Sequence, residues 1–199
     1  GDESFSGGNS WRFADLKSTQ FSALGIQRIE DGGAFWHVFL EQDEPRAYAF
    51  HQARQDIDGH LTIANDRQEN TTGSEYVQVH FSLKAFEPMV GKDIYIFGGI
   101  SNWDFPPTHR LIWNDLSREY EATLLLKQGY YNYLYLTRDA MGLGKSDAAS
   151  LVQYPGIVSD IEGSHSRADN VYQVLAYYWD MSGYDRIIGY QPVRFGFNP

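Results

Sequence analysis

The amino-acid sequence predicts an all-β protein, and three features lead to that prediction. Tyr76–Leu83 alternates apolar and polar residues without interruption, which is the period of a half-buried strand. Asp93–Leu136 contains further short runs that are rich in β-branched and aromatic residues, the types that favour strands. No segment keeps a helical apolar period for more than two turns. These features together favour a protein built from sheets.

The central stretch predicts three strands, at Asp93–Phe97, Tyr120–Lys127 and Tyr130–Leu136. The alternating side chains of the third strand place three tyrosines on one face: Tyr131, Tyr133 and Tyr135. Gln128-Gly129 is a tight-turn signal between the second and third strands. We therefore expect these two strands to form a hairpin, with the first strand packed across from it.

The remaining strands are predicted from shorter runs on both sides of this centre. Asp58-Gly59 is typical of a type I′ turn, in which both central residues take positive φ. Asp139–Gly163 has small residues and little period, so we expect a loop or a short helix there. The other expected strands are Trp11–Ser18, Phe21–Ile29, Phe35–Leu40, Arg46–Phe50, His60–Ala64 (which returns from the type I′ turn), Val171–Trp179 and Ile187–Val193.

A polar stretch divides the chain into two predicted domains. Asn65–Ser74 is the most polar and least periodic part of the sequence, as linkers between domains often are. We assign residues 1–72 to the C-terminal part of an N-terminal β-domain and residues 73–199 to an immunoglobulin-like β-sandwich. The predicted fold class is all-β, with two β-sandwich domains of which the first is incomplete.

Composition excludes several classes of function. The 199 residues carry a formal net charge of −10, which disfavours nucleic acid as a partner. No apolar run reaches 18 residues, so no membrane-spanning helix is expected. The chain contains no cysteine, which excludes disulfides and thiolate chemistry. The N-terminus lacks a basic segment followed by an apolar one, so we expect that a signal peptide is absent from this chain.

The sequence contains no complete motif of an enzyme or a metal site. Gly144-Lys145-Ser146 ends like a phosphate-binding loop, but Asp139 stands where the first glycine of that loop is required. The six histidines have no spacing that would place two on one metal ion, and no nucleophile elbow is present. We therefore assign no catalytic, metal-binding or cofactor-binding residues, and we expect a protein that is not an enzyme.

The loop that follows the first central strand contains the residues that we single out. Trp103 and Phe105 precede Pro106-Pro107, and Trp113 follows in the same region. Together they could form an exposed apolar patch of the kind that binds other proteins. The alternative is that Trp103 folds back onto the core, which is the commoner place for an aromatic side chain.

Two resemblances to known families rest on these motifs. The segments Ile96–Trp103 and Gly129–Tyr133 resemble the strand-turn and Gly-x-Tyr-x-Tyr motifs of the glycogen-binding, early-set type of β-sandwich. That resemblance implies a glycan site formed by Asn102, Trp103 and Tyr133. Leu134 stands where that family has a glucan-gripping lysine, so the fold transfers more readily than the function.

The second resemblance covers nearly the whole chain. The sequence is similar to the plug protein family of the type IX secretion system, found in the Bacteroidetes phylum. The matching blocks follow one another in the same order and spacing. They are Gly8–Ser18, Asp58-Gly59, Glu75–Leu83, Leu126–Tyr133, Glu162–Ser164, Asn170–Tyr172 and Tyr184–Tyr190.

The plug resemblance implies a function and a location. Its members are non-enzymatic periplasmic proteins, peripherally associated with the outer membrane, that dock on the periplasmic opening of a very large outer-membrane β-barrel translocon and close it. Because a proline-bounded aromatic loop at the end of a sandwich is suited to probe a partner, we expect Trp103, Phe105 and Trp113 to contact the translocon. We also expect that an incomplete first domain leaves an unpaired edge among the Trp11–Phe50 strands, through which a homodimer could form.

Overall fold

The structure is a computed structural model that describes residues 7–52, 54, 56–66, 73–140, 156–179, 183 and 185–195. Within these residues it contains eleven strands and two short 3-10 turns, Gly99–Ser101 and Pro107–His109, so the all-β prediction is confirmed. The strands are β1 (Arg12–Asp15), β2 (Ile26–Asp31), β3 (Trp36–Leu40), β4 (Leu61–Ile63), β5 (Tyr76–Lys84), β6 (Lys92–Phe97), β7 (Arg110–Asn114), β8 (Glu119–Lys127), β9 (Gly129–Asp139), β10 (Asn170–Trp179) and β11 (Asp185–Phe195).

Nine of the described strands form one continuous sheet. Their order is β1-β9-β6-β7-β8-β5-β3-β2, and β4 also pairs with β9. All pairs in this sheet are antiparallel except the parallel pair of β3 and β5. Strand β7 pairs with β6 through Leu111 and with β8 from Ile112 onward, so it passes from one half of the sheet to the other.

The two halves of the sheet enclose the core. Phe81 on β5 meets Tyr133 on β9 edge to face, with ring centroids 5.2 Å apart. The alternating faces predicted from the sequence are confirmed, because their apolar members are all buried: Val77, Val79, Phe81 and Leu83 on β5, and Tyr131, Tyr133 and Tyr135 on β9. Each fully buried aliphatic or aromatic side chain stabilises the fold by about 1.5–3 kcal/mol.

The predicted central hairpin is wrong. Strand β8 pairs with β5 and β7, whereas β9 pairs with β1, β4 and β6, so the two strands are not paired with each other. The chain instead turns at Gln128 from one half of the sheet to the other. Gly129 lies against the backbone of β4, where a β-carbon would approach the carbonyl oxygen of Thr62 to 2.4 Å. Strand β6, which we expected to pack across, pairs directly with β9.

Two further strand predictions need correction. Arg46–Phe50 forms turns and an irregular segment instead of a strand. Asp58 and Gly59 do take the positive φ values of 53° and 77° that a type I′ turn requires. The return strand β4, however, pairs with β9 and not with a partner before the turn.

Both predicted domains contribute to the nine-stranded sheet. Strands from residues 1–72 pair with strands from residues 73–199 at three places: β1 with β9, β4 with β9, and β3 with β5. One core cluster includes Leu16 and Val38 from the first part with Val79 and Ile96 from the second. The boundary predicted at residue 72 therefore separates strands that pack together, and residues 67–72 lie outside the described range.

Strands β10 and β11 form a second, two-stranded antiparallel sheet. Ten residue pairs connect the two strands, from Asn170 with Phe195 to Trp179 with Asp185. A β-bulge interrupts the register after Ala176, where Ile188 is the extra residue on β11. The strands predicted at Val171–Trp179 and Ile187–Val193 are both confirmed within this hairpin.

Candidate interaction surface

A tight turn after β6 places Trp103 on the surface. The amide of Trp103 donates a hydrogen bond to the carbonyl of Gly98 at 2.9 Å, and the amide of Asn102 donates to Gly99 at 3.1 Å. Asn102 and Trp103 have φ values of 54° and 59°. Positive φ is uncommon for a bulky residue, and such strain is found most often at functional sites. The turn is therefore a candidate site on backbone grounds alone.

The indole of Trp103 packs on aromatic rings and still faces solvent. Its ring meets those of Trp11, His60 and Phe97 edge to face, with centroids 5.6–5.7 Å apart. The residue is 45% exposed. Edge-to-face contacts of this kind contribute about 0.5–1.5 kcal/mol each beyond burial of area. Trp103 therefore packs against neighbouring rings without being buried in the core, and part of its side chain remains exposed to solvent.

Phe105 extends this aromatic surface. Its ring stacks on Phe97 at 5.2 Å and meets Tyr95 edge to face at 5.6 Å. The guanidinium of Arg138 lies over the Phe105 ring at 4.2 Å from its centroid. We call the set Trp11, His60, Phe97, Trp103 and Phe105 the Trp103 cluster.

A glycine and a buried asparagine hold the floor of the Trp103 cluster. A β-carbon on Gly59 would lie 2.5 Å from the Trp11 ring and 2.7 Å from the Trp103 ring, so only glycine fits between them. The carbonyl of Gly59 accepts a 2.6 Å hydrogen bond from the amide of Gly99. Asn132, which is fully buried, accepts from the amide of Ile57 at 2.6 Å through Oδ1. The two turns are thereby fixed against each other.

His109 secures the other end of the Phe105 loop. Its Nε2–H donates to the carbonyl of Ile100 at 3.1 Å, and Thr108 lies 3.1 Å from its Nδ1. Burial lowers the pKa of His109 below its ordinary value of 6.5, which favours the neutral ring. The loop between β6 and β7 is therefore anchored at both ends.

A buried ionic network fixes strand β1, which begins directly after Trp11. Arg12 donates from Nη1 to Asp43 at 2.6 Å and from Nε to Glu162 at 2.9 Å. Glu162 is fully buried and also accepts from Nε of Arg46 at 2.7 Å and from the amide of Tyr135 at 2.8 Å. Every one of these groups has a partner of opposite charge or a hydrogen-bond donor, as buried charges require.

The protonation states in this network follow from burial and charge. Burial lowers the pKa of the Arg12 guanidinium, but the nearby carboxylates of Asp43 and Glu162 outweigh it and raise that pKa overall. Burial and the charge of Asp43 raise the pKa of Tyr133 and of Tyr135 well above 10. Both hydroxyls therefore stay protonated and donate to Oδ2 of Asp43 at 2.8 Å.

A cleft of about 360 Å³ opens beside this network, lined in part by Arg12, Asp43, Arg46 and Tyr133. The Asp43 carboxylate already accepts hydrogen bonds from Arg12, Tyr133 and Tyr135, so its role is structural. Among the described residues, no group of three or more potential metal ligands is close enough to hold an ion. The cleft thus contains a structural network, and no metal centre is found in the described ranges.

The predicted site residues divide between different places. Trp103 and Phe105 lie together, because both rings contact Phe97. Trp113 does not join them: it packs on Tyr120 at 5.2 Å and its Nε1–H donates to Asp115. The predicted three-residue patch is therefore a two-residue patch extended by other rings.

The residues of the predicted glycan site are also separated. Asn102 is exposed beside Trp103, as a binding residue would be. Tyr133 is 3% exposed, and its ring points into the core against Phe81. Tyr133 is therefore not accessible to a glycan at the surface.

Several residues that build this surface could not be predicted from the sequence. Trp11 precedes β1, His60 precedes β4 and Asn132 is in β9, and the pairing of β1 and β4 with β9 brings them together. No local pattern in the sequence indicates that pairing. Arg12 and Glu162 lie in two of the sequence blocks that resemble the plug family, and this was the available signal for them.

Comparison with solved structures identifies a structural relative. No protein family model and no curated protein matches the chain. The structure is similar to the crystal structure of a hypothetical protein from Parabacteroides merdae ATCC 43184, with a TM-score of 0.82 and 30% sequence identity. The match covers 96% of this chain and 45% of that protein, so the chain spans less than half the length of its relative.

In the described parts of the chain, no helix has the length and apolar character needed to cross a membrane.

Proposed function

We propose that this protein is a non-enzymatic component of the type IX secretion system that docks on the periplasmic opening of the outer-membrane translocon and plugs it. The observation behind the proposal is the ordered set of sequence blocks, from Gly8–Ser18 to Tyr184–Tyr190, that resemble the plug family. Under this proposal the protein is periplasmic and peripherally associated with the outer membrane. The function of the type IX plug is then performed by shape and surface and requires no catalytic group.

The architecture supports a plugging role in physical terms. A plug must resist deformation, and here one core is enclosed by nine strands, while the ion pairs of buried Glu162 connect β1 to two segments outside the sheet. Buried hydrogen-bonded charges favour one arrangement, because breaking one such pair costs about 3–5 kcal/mol. A rigid body of this kind loses little conformational entropy when it binds.

The Trp103 cluster is the surface that best fits the docking role. Trp, Tyr and Arg residues dominate the energetics of protein interfaces, especially where a ring is held before binding. Trp103 is held by three rings and retains 45% exposure, and Arg138 lies beside it over Phe105. Trp113 has a lesser role in this proposal, because its indole is occupied by Tyr120 and Asp115.

The test is a pull-down with tagged protein from detergent-solubilised outer membrane of the source bacterium, read by mass spectrometry. We expect stoichiometric recovery of one very large β-barrel protein. Trp103→Ala should weaken that binding by roughly 30-fold, the effect of an anchor residue that contributes about 2 kcal/mol. Phe86→Ala is the matched control, since Phe86 is an exposed aromatic residue (88%) outside the Trp103 cluster.

The outcomes separate the proposal from its alternatives. Equal recovery with Trp103→Ala and Phe86→Ala would move the docking surface away from the Trp103 cluster but retain the plug function. No recovery, either with this chain or with a longer one that includes it, would overturn the plug function.

A carbohydrate-binding module is the second candidate, and the half-exposed ring of Trp103 is the observation that favours it. An open indole face can stack on a sugar ring, and Asn102 lies next to it with an exposed side chain. The glycan array that tests this candidate uses Trp103→Ala as its control. Binding that disappears in this variant, with no translocon recovered in the pull-down, would favour the carbohydrate-binding function.

A further inference from the structure

The hairpin of β10 and β11 exposes an apolar face that no other described element covers. Residues directly opposite in an antiparallel pair lie on the same face, and successive residues along a strand lie on opposite faces. Leu175 is opposite Tyr190, and Tyr177 is opposite Ile187. One face of the hairpin therefore presents six large apolar side chains: Val171, Leu175, Tyr177, Trp179, Ile187 and Tyr190. We call this the Leu175 face.

The exposure of the Leu175 face is high along its whole length. Its members range from 40% exposed at Leu175 to 69% at Trp179. Val171, at the opposite end from Trp179, is 55% exposed. The apolar side chains are thus spread along the hairpin and are not confined to its tip, although the pair of Gln173 and Pro192 lies between Val171 and Leu175. A face of this form fits a second flat surface better than it fits a narrow pocket or shallow insertion of a tip.

A hairpin of this kind needs a partner for its own stability. An isolated two-stranded sheet is at best marginally stable in water, and a packed apolar face is what makes it independent. Among the described strands, β10 and β11 pair with each other and with no third strand. The apolar side chains that could stabilise the hairpin are therefore in place but unused.

We propose that the Leu175 face binds the same face of a second copy of this chain. The two hairpins would stack as two layers about a two-fold axis that passes near Leu175. The inference does not depend on the plug function, and it differs from pairing at an edge of the Trp11–Phe50 strands. It concerns the faces of β10 and β11, with side chains rather than backbone groups forming the contact.

The buried area is consistent with such a dimer. Three aromatic side chains at about 60% exposure and three aliphatic ones offer roughly 500–600 Å² per copy. Two copies would bury roughly 1,000–1,200 Å², close to the lower limit of about 1,200 Å² for stable interfaces. We therefore expect a dimer that dissociates on dilution, not a permanent one.

The scarcity of charged residues on β10 also makes this face more suitable for self-association than the rest of the surface. The chain has a net charge of −10, so most surfaces would repel a second copy. Strand β10 contains no charged residue over its ten positions. Arg194 lies opposite Val171 at one end of the Leu175 face, and a two-fold axis perpendicular to the strands would place the two copies of Arg194 at opposite ends. No like charges then meet at the centre of the contact.

Sedimentation velocity over a concentration series tests the dimer. We expect the wild-type chain to move from monomer to a species of twice 22.7 kDa as concentration rises. Tyr177→Glu should leave only monomer, because it places a charge on the Leu175 face. Tyr178→Glu is the matched control: Tyr178 is the adjacent residue, 55% exposed against 58% for Tyr177, and it points to the opposite face.

Cross-linking gives an independent measurement that does not depend on these two tyrosines. The chain has no cysteine, so a single introduced thiol is the only one present. Leu175→Cys should be cross-linked into a dimer by a short bismaleimide, because the two-fold axis brings its two copies together and stacked sheets lie about 10 Å apart, beyond the reach of a direct disulfide. Val174→Cys, on the opposite face, should not be cross-linked under the same conditions.

Three results would overturn the proposal. The first is a wild-type chain that stays monomeric at every concentration and does not cross-link through Leu175→Cys. The second is equal dimerisation of Tyr177→Glu and Tyr178→Glu. The third is a monomer in which the Leu175 face is covered by something else: lipid vesicles that capture it in a flotation assay, or another segment of a longer chain that protects residues 170–179 from hydrogen exchange.

Discussion

Arg12 and Glu162 lie 2.9 Å apart in the interior, although 150 residues separate them in the chain. Glu162 has no exposed surface, and its second oxygen pairs with Arg46 at 2.6 Å. The pair joins β1, the irregular segment after β3 and the region before β10. A single carboxylate thereby joins three distant segments, and one of them, β1, directly follows Trp11 of the Trp103 cluster.

Removal of this carboxylate should destabilise the protein strongly. Glu162→Gln keeps the shape but leaves Arg46 without its carboxylate partner and Arg12 with only Asp43. We expect a loss of about 3–5 kcal/mol in the free energy of unfolding, measured by urea denaturation. Glu30→Gln is the control, because its ion pair with Arg28 is about half exposed and should contribute less than about 1 kcal/mol. Equal losses in the two variants would contradict a structural role for Glu162.

Gly59 should be intolerant of even the smallest side chain. Gly59→Ala combines an unfavourable φ of +77° with a β-carbon 2.5 Å from Trp11 and 2.7 Å from Trp103. Gly33→Ala has the same backbone problem, with a φ of +82°, but no neighbour within 4 Å. We expect Gly33→Ala to cost about 1–2 kcal/mol and Gly59→Ala to cost more.

In Gly59→Ala the added β-carbon should also displace the rings of Trp11 and Trp103, and tryptophan fluorescence measures this displacement. Displacement of either ring should shift the emission maximum in this variant and not in Gly33→Ala. If both variants show the same stability and the same emission, the packing of the two tryptophans on Gly59 is not what requires glycine there.

The strands and buried faces could be predicted from the sequence because a strand repeats every two residues. Val77 to Leu83 on β5 and the alternate tyrosines of β9 were placed correctly by that period alone. The pairing partners could not be predicted in the same way. A turn at Gln128-Gly129 is compatible with a hairpin and with a crossing between two halves of a sheet, and the sequence does not distinguish them.

The candidate site was predicted only in part for the same reason. Trp103 and Phe105 were found because they are neighbours in one loop. Trp11 and His60 were missed because non-local pairing with β9 places them there. Trp113 was grouped with Trp103 and Phe105 because it is near them in sequence, but it lies on β7 and packs against Tyr120 instead. Contacts between distant segments leave no periodic signal in a single sequence.

His80 should make stability depend on pH in the weakly acidic range. Its Nε2 lies 2.9 Å from Nδ1 of His37, and this hydrogen bond needs a lone pair on one ring. Burial, with the charges of His37 and Arg28, lowers the pKa of His80 below 6.5. The unfolded chain therefore takes up the proton first, and stability falls as pH drops from about 6.5 through the folded value.

Histidine NMR titration and urea midpoints across this range measure the effect. His80→Gln should flatten the pH dependence in part, since His51 and His109 also have lowered pKa values. His60→Gln, an exposed position, should leave the slope attributed to His80 unchanged. An NMR titration of His80 at or above pH 6.5 would contradict the prediction.

Tyr131 should make the stability of the protein fall as pH rises in the alkaline range. Burial raises its pKa to about 12, and its hydroxyl donates to the carbonyl of Lys127 at 2.5 Å. The unfolded chain loses this proton near pH 10, so the contribution of the hydroxyl is complete below pH 10 and is lost as pH rises to about 12. The difference in unfolding free energy between wild type and Tyr131→Phe should therefore shrink over this interval, by on the order of 2 kcal/mol. Tyr48→Phe is the control, because it removes the same hydroxyl from a tyrosine that is fully exposed. A constant difference between wild type and Tyr131→Phe from pH 9 to pH 12 would show that the hydroxyl ionises alike in the folded and unfolded chain.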